Sequence, residues 1–186
     1  LSVAELKRTL TRYPPEVYAA AEPLVTKLES QSANQEKHLD ELEAALPGGH
    51  PSRGKKVFSS QNALCAVCHH VNGTGGRVGP DLSRIGRIRT KRDLLESLIY
   101  PSASLARDFE AYSIEFKDGE SQTGVIVEDG EQRIQLAIAN GQMMNIPRNR
   151  IRNVKPSQLS LMPQGLDQTM TRQQIADLLA YLQTLR

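Results

Sequence analysis

The stretch Cys65-Ala66-Val67-Cys68-His69 uses both cysteines of this 186-residue chain, and its reading decides what the rest of the fold serves. Two thiols three residues apart reach the two vinyl groups along one edge of a porphyrin, and the next residue places an imidazole beneath the iron. Covalent attachment fixes the ring, so a small domain holds it with a single apolar pocket. The motif therefore points to one covalent haem c, carried by Cys65 and Cys68 with His69 as an iron ligand. Three other readings of the same residues stand beside it. Half a zinc site lacks a second cysteine pair, and completing it with His50 and His70 would put two adjacent histidines on one tetrahedron. A thioredoxin-like redox pair lacks a following βαβ pattern. The plainest alternative is a local disulfide.

Working outward, the other face of the iron either takes a second ligand or stays open. Thioether sulfur raises the reduction potential and suits electron transfer, whereas an open face suits ligand binding. Four methionines are available: Met143, Met144, Met162 and Met170. The first two adjoin on a β-prone run, where neighbours face opposite sides and one belongs to the core. Met170 stands at the mouth of the last helix and is expected to pack there. Met162 lies in the loop Ser160-Leu161-Met162-Pro163. Loops of this kind deliver a side chain into a pocket from outside the helices, so Met162 is the expected second ligand, with plain packing as its alternative.

Upstream of the motif, residues 1–46 read as three helices. Val3, Leu6 and Leu10 recur at helical spacing before Tyr13-Pro14-Pro15-Glu16 breaks the chain. Val17, Ala21, Leu24, Val25 and Leu28 make a second stripe, with Pro23 as a kink. Ser32 and Gln35 have capping-box spacing ahead of a third helix through Leu39, Leu42, Ala45 and Leu46, ended by Pro47-Gly48-Gly49. His38 reads as a surface residue of this packing module. Ser52 is expected to cap a short helix through Lys55, Val57 and Phe58, which delivers the chain to Cys65.

Downstream, a glycine-rich loop runs from Asn72 to Asp81, and a helix from about Lys91 to Ile99 stops at Pro101. Four β-prone runs follow, Glu110–Lys117, Glu120–Glu128, Gln132–Ala139 and Gln142–Ile146, separated by Asp118-Gly119, Asp129-Gly130 and Asn140-Gly141. Asx-Gly between alternating runs is a strong hairpin signal. The expected element is an antiparallel meander finished by Ile151–Val154. The tail returns to helix, with Thr171 and Gln174 as a capping box and Ile175, Leu178, Leu179, Leu182 and Leu185 as the apolar stripe.

The bulk numbers narrow the function classes. An apolar content of 39% and a charged content of 24% fit a globular chain. The net charge of +2 favours neither nucleic acid nor a membrane surface, and 4% aromatic content without Trp leaves few platforms for bases. No apolar run approaches the roughly 20 residues of a membrane span. The opening LSVAELKRTL lacks the apolar core of a secretory signal, although haem c attachment normally happens outside the cytoplasm. The expectation is a mature or excised fragment, the C-terminal piece of a longer exported chain.

Taken together, RGKKVF, CAVCHHVNGTGGRVGPDLSRIG, RDLLESLIYPSA, YSIEFKDG, SLMPQGL and IADLLAYLQTL resemble the cytochrome c family. The likeness is closer to its planctomycete and verrucomicrobial branch of haem-binding domains, over about residues 50–186. The resemblance implies a mainly α fold: a class I cytochrome c core with an inserted antiparallel β-sheet at about 109–155, preceded by a small helical segment, 1–49. It implies that Gly79-Pro80 lines the proximal side, with the Pro80 carbonyl accepting the His69 Nδ1 proton. Among Arg84, Arg87 and Arg89, Arg87 is a candidate for pairing with haem propionates, with an exposed solvated arginine as the alternative. Tyr112 either touches haem or fills the sheet's apolar face. The implied activity is single-electron transfer with His69 and Met162 as axial ligands, rather than catalysis. Partners would be redox proteins, among them a sugar or alcohol dehydrogenase module, in the periplasm or otherwise outside the cytoplasm. A haem enzyme or a gas or peroxide sensor with a labile sixth ligand is the competing class. The sheet could also serve as a docking module.

Overall fold

A computed structural model describes residues 3–186, and the chain divides into two compact units, Leu1–Ala45 and Leu46–Arg186. The first holds two helices, α1 (Val3–Leu10) and α2 (Pro15–Ala44), joined by the turn at Thr11–Pro14. Pro15 opens α2 where its missing N–H costs nothing. The expected third helix is a continuation of α2. Between Glu29 and Glu36 there is neither glycine nor proline to stop it. A serine inside a helix has an alternative to capping, bonding back to the preceding turn, as the Ser30 hydroxyl does to the Thr26 carbonyl at 2.9 Å. Lys7 and Glu29 form an ion pair between the two helices.

The second unit begins with α3 (Pro51–Phe58), followed by α4 (Cys65–Cys68), the two-residue strands β1 (His70–Val71) and β2 (Thr74–Gly75), α5 (Ile85–Ile88) and α6 (Lys91–Ile99). A five-stranded sheet comes next: β3 (Ala111–Phe116), β4 (Ser121–Asp129), β5 (Arg133–Ala137), β6 (Met143–Pro147) and β7 (Ile151–Pro156). The chain ends in α7 (Arg172–Thr184), whose capping box is the expected Thr171–Gln174 pair. Thr90 and Asp93 make a second capping box on α6.

Packing of α3 against α7 sets the frame. A Cβ on Gly54 would run into the Asp177 carbonyl, and one on Gly49 into the Ala176 carbonyl, so only glycine lets these backbones meet. Phe58 and Tyr181 meet edge to face, with ring centres 5.8 Å apart. Asp177 is buried in this crossing and fully bonded: Arg53 Nε and Nη2 donate to it at 2.7 and 2.8 Å, the His50 amide at 2.7 Å and Gln173 Nε2 at 3.0 Å. His50, rather than the expected Ser52, is the residue ahead of α3. With Pro51 at the first helical position, Ser52 falls inside the first turn, and its hydroxyl lies 2.9 Å from His50 Nδ1.

Sheet order is β6-β5-β4-β3-β7, every pair antiparallel. The last strand therefore lies beside β3, not beside β6 as a simple meander requires. Only Arg148–Arg150, a 3-10 turn, joins β6 to β7, although they are the two outer strands. A flat sheet would hold outer strands roughly 19 Å apart, and four residue steps reach at most about 14 Å even when extended. The sheet must curl. The bulges at Glu115/Phe116 and between Ile126 and Glu128 assist that curvature.

Curling separates two faces. Ile114, Phe116, Ile134, Leu136 and Ile146 are buried together on the concave side, with Ile126, Ile138, Met144, Ile151 and Val154 against them. The opposite side is polar along Ser113, Glu115 and Thr123. At one end it turns apolar, where Ala111, Val125 and Ala137 lie across from one another on three adjacent strands. All three are buried, and that end faces the cysteine loop.

Candidate functional site

The cysteines occupy a single helical turn. Leu64 enters it with φ of 53°, the left-handed region that a leucine rarely adopts, and the Val67 amide bonds to its carbonyl at 3.0 Å. Both cysteines are free thiols, so the disulfide alternative is not what the fold adopts. The Cys65 Sγ faces the Ala63 carbonyl at 3.6 Å, and the Cys68 Sγ faces the Ala139 carbonyl at 3.8 Å. Burial pushes the Cys65 thiol up to about 11 and raises Cys68 as well. Both stay protonated near neutral pH and are poor partners for oxidation.

After Cys68 the chain loops out and returns alongside itself. The Gly79 amide bonds to the Cys68 carbonyl at 2.8 Å, His69 Nδ1 lies 2.8 Å from the Pro80 carbonyl, and the Leu82 amide bonds to the His70 carbonyl at 3.0 Å. A carbonyl only accepts, so Nδ1 carries the ring proton and Nε2 keeps the lone pair. Burial depresses the His69 pKa, the Pro80 bond works against this, and the neighbouring His70 lowers it further. The ring is therefore neutral near pH 7 and can act as a ligand through Nε2. A Cβ on Gly79 would sit 2.5 Å from His69 Cε1, so the bare backbone there is what admits the ring.

Beyond the ring lies a polar lattice absent from the sequence reading. His70 Nε2 is 3.2 Å from Asp81 Oδ2, while Asp81 Oδ1 accepts the Ser83 amide at 2.8 Å and the Ser83 hydroxyl at 2.5 Å. The Asn72 amide donates to the same hydroxyl at 2.7 Å. Ser83 is the main cause of the lowered Asp81 pKa, with His70 adding to it. The Asp-x-Ser spacing was a legible local-turn signal. Its link to His70 depends on the loop's return and had no sequence signature.

The remaining candidates fall at different places. Cys68 packs against the buried cluster of Val78, Val125 and Ala137, and Leu161, the residue just before Met162, packs against the same cluster. Gly141 at the β5–β6 tip abuts Val67. Met162 itself is half-buried, its amide bonded to Ser160 Oγ at 3.1 Å. Met144 packs into the concave core, Met143 on the adjacent face is exposed, and Met170 is buried ahead of α7. Tyr112 is half-buried, and strand alternation puts it with Ile114 on the face away from Cys68. Arg87 is exposed on α5, next to Gly86, which packs on the end of α7.

This donor set fits haem c and disfavours zinc. His50 is occupied at the head of α3 and His70 by Asp81. Among the described residues no three His, Cys, Asp or Glu side chains gather as a metal-holding group. Two thiols on one turn beside a neutral imidazole with a free Nε2 lone pair are the chemistry a covalent porphyrin requires.

Residues 51–112 match the family described as Cytochrome c, a stretch that runs from α3 through the cysteine turn to the start of β3. No curated protein matches the chain. The described helices include none long and apolar enough to cross a membrane.

Proposed function

We propose that residues 50–186 form a cytochrome c domain that carries one haem c and passes single electrons. The observation that carries this reading is the 2.8 Å approach of His69 Nδ1 to the Pro80 carbonyl beside the two thiols, because it leaves Nε2 as the ligating atom. The cytochrome c match over residues 51–112, which include the two thiols, His69 and Pro80, supports it. In this reading α3, α6 and α7 are the class I core and the curled sheet is an insertion of the planctomycete and verrucomicrobial type.

The haem supplies an iron that changes by one electron between its ferric and ferrous forms. The chain's own residues do the rest. The Cys65 and Cys68 thiols would hold the haem covalently as thioethers to its vinyl groups. His69 binds through Nε2 while Pro80 holds its Nδ1 proton, which keeps the ring oriented and basic. Met162 would be the second iron ligand, through its thioether sulfur. Leu161, which packs against the same buried cluster as Cys68, supports this choice of loop. Arg87 pairs with a propionate where that carboxylate reaches α5. Val78, Val125 and Ala137 exclude water beside the Cys68 thioether. The domain works outside the cytoplasm, where attachment takes place. It exchanges electrons with a dehydrogenase of the sugar or alcohol type through a small transient interface.

The axial pair is tested by expressing the chain with c-type maturation and recording oxidised and reduced spectra. His/Met ligation gives the weak sulfur-to-iron charge-transfer band in the oxidised trace, and Met162→Ala abolishes it. A band that survives Met162→Ala would move the sulfur ligand to another methionine. A parent spectrum without the band, or tight carbon monoxide binding by the parent ferrous protein, would instead favour a sensor or enzyme with an open sixth position.

A further inference from the structure

We propose that His70 and Asp81 form a positioning pair that holds the Pro80 carbonyl on His69, an inference that rests on the haem reading above. The accepting carbonyl belongs to the peptide unit between Pro80 and Asp81. Proline's φ is locked by its ring, so this plane can turn only through the ψ of Pro80 and the φ of Asp81. Whatever fixes Asp81 therefore fixes the carbonyl that orients the His69 ring.

Asp81 is held on both sides. Its Oδ1 accepts two bonds from Ser83, and Ser83 is itself pinned by the Asn72 amide at 2.7 Å. Its Oδ2 takes the His70 contact at 3.2 Å. A carboxylate oxygen accepts, so His70 Nε2 carries the proton. Nδ1 of the same ring is buried with no hydrogen-bond partner among the described residues. Nε2 is thus the atom through which the ring is tied. The His70 side chain is 20% exposed and the Asp81 side chain 52%, so the contact adds little to overall stability. Its effect falls on geometry. The Leu82 amide bond to the His70 carbonyl clamps the backbone just beyond, and Gly79 to Cys68 clamps it just before. Between those clamps, the side-chain pair settles the plane.

The test uses the reduced holoprotein of the full chain and follows solvent exchange of the His69 Nδ1 proton by NMR. His70→Leu and Asp81→Ala each remove one half of the pair and are expected to speed exchange by about tenfold, the scale of one lost hydrogen bond. His70→Gln keeps a donor near the Nε2 position and is expected to stay within about twofold of the parent. The reduction potential should rise in the first two variants, because a weaker Nδ1 bond makes the imidazole a poorer donor to ferric iron. Parent-like exchange in both disruptive variants, whatever their melting temperature, overturns the proposal while leaving the haem reading intact. If His70→Leu does not mature, Asp81→Ala alone decides by the same measure. A parent chain that acquires no covalent haem overturns both.

Discussion

Where α3 crosses α7, two glycines remove side chains so that backbones touch, and a buried carboxylate with four donors locks the contact. The curled sheet contains no such lock. Its ion pairs, Arg133 with Glu128, Arg148 with Asp129, Arg150 with Asp118 and Arg152 with Glu115, lie on the outside, and its interior is branched aliphatic side chains with one phenylalanine and Met144. The helical crossing is therefore specific in geometry and intolerant of added volume. The sheet is held by apolar area and is sensitive to lost volume. Cys68 packs on the sheet's buried Ala137 and Val125, and its carbonyl takes the Gly79 amide of the loop that follows it.

The largest effect should come from Gly54→Val. Its Cβ has nowhere to go except into the Asp177 carbonyl and the Tyr181 Cβ, so α3 must separate from α7. Denaturant titration should show a loss of about 3 kcal/mol or failure to fold. A variant as stable as the parent would remove the close approach from the account.

Ile114→Ala should cost about 3 kcal/mol in the same measurement, since Ile114 is wholly buried at the centre of the concave core. Amide exchange sharpens the comparison. Sheet amides should exchange faster while those of α7 keep most of their protection. Equal acceleration in both would mean that the two regions open as one unit.

Asp177 gives the crossing a pH dependence. Arg53 is the main cause that holds its carboxyl down to about 2, against 3.8 ordinarily, with the His50 amide and Gln173 adding to it. A depressed folded-state pKa contributes stability that is fully present above about pH 4 and is lost as pH falls toward 2. The size is on the order of 2 kcal/mol. In Asp177→Asn the acid limb of the stability curve between pH 4 and 2, as read by denaturant titration, should be correspondingly shallower. An unchanged acid limb would contradict this assignment.

The smallest effect belongs to the junction. Gly141 has φ of 84° and abuts Val67, so Gly141→Val is strained in backbone and crowded in space. A loss of about 1–2 kcal/mol is expected. Exchange should rise at the β5–β6 tip and around Val67 and leave α3 and α7 untouched. Protection lost first in α7 would show that the tip does not act locally.

Much of the sheet could be read in advance because its signals are local. Alternation in Tyr112, Ile114 and Phe116 and the Asx-Gly turns need no tertiary partner, and the same holds for the Thr171–Gln174 cap. The path of β7 could not be read this way. Its strand pattern is plain in Ile151–Val154, but which edge it joins follows from a three-residue connection between outer strands. The Ser32–Gln35 spacing misled because a capping pattern inside an unbroken helix satisfies the same rule. At the site, the cysteines and His69 are adjacent in sequence and so were legible. The His70–Asp81 contact spans eleven residues and the Arg53–Asp177 lock more than a hundred, and no periodicity encodes either.

The central claim is that Cys65 and Cys68 hold haem covalently, and the mass of the intact protein tests it most directly. Expressed with c-type maturation in an oxidising compartment, the parent should gain the mass of one haem that acid-acetone extraction does not remove, and Cys65→Ala/Cys68→Ala should gain none. A parent chain that matures without haem, or a double variant that retains it after extraction, would contradict the account.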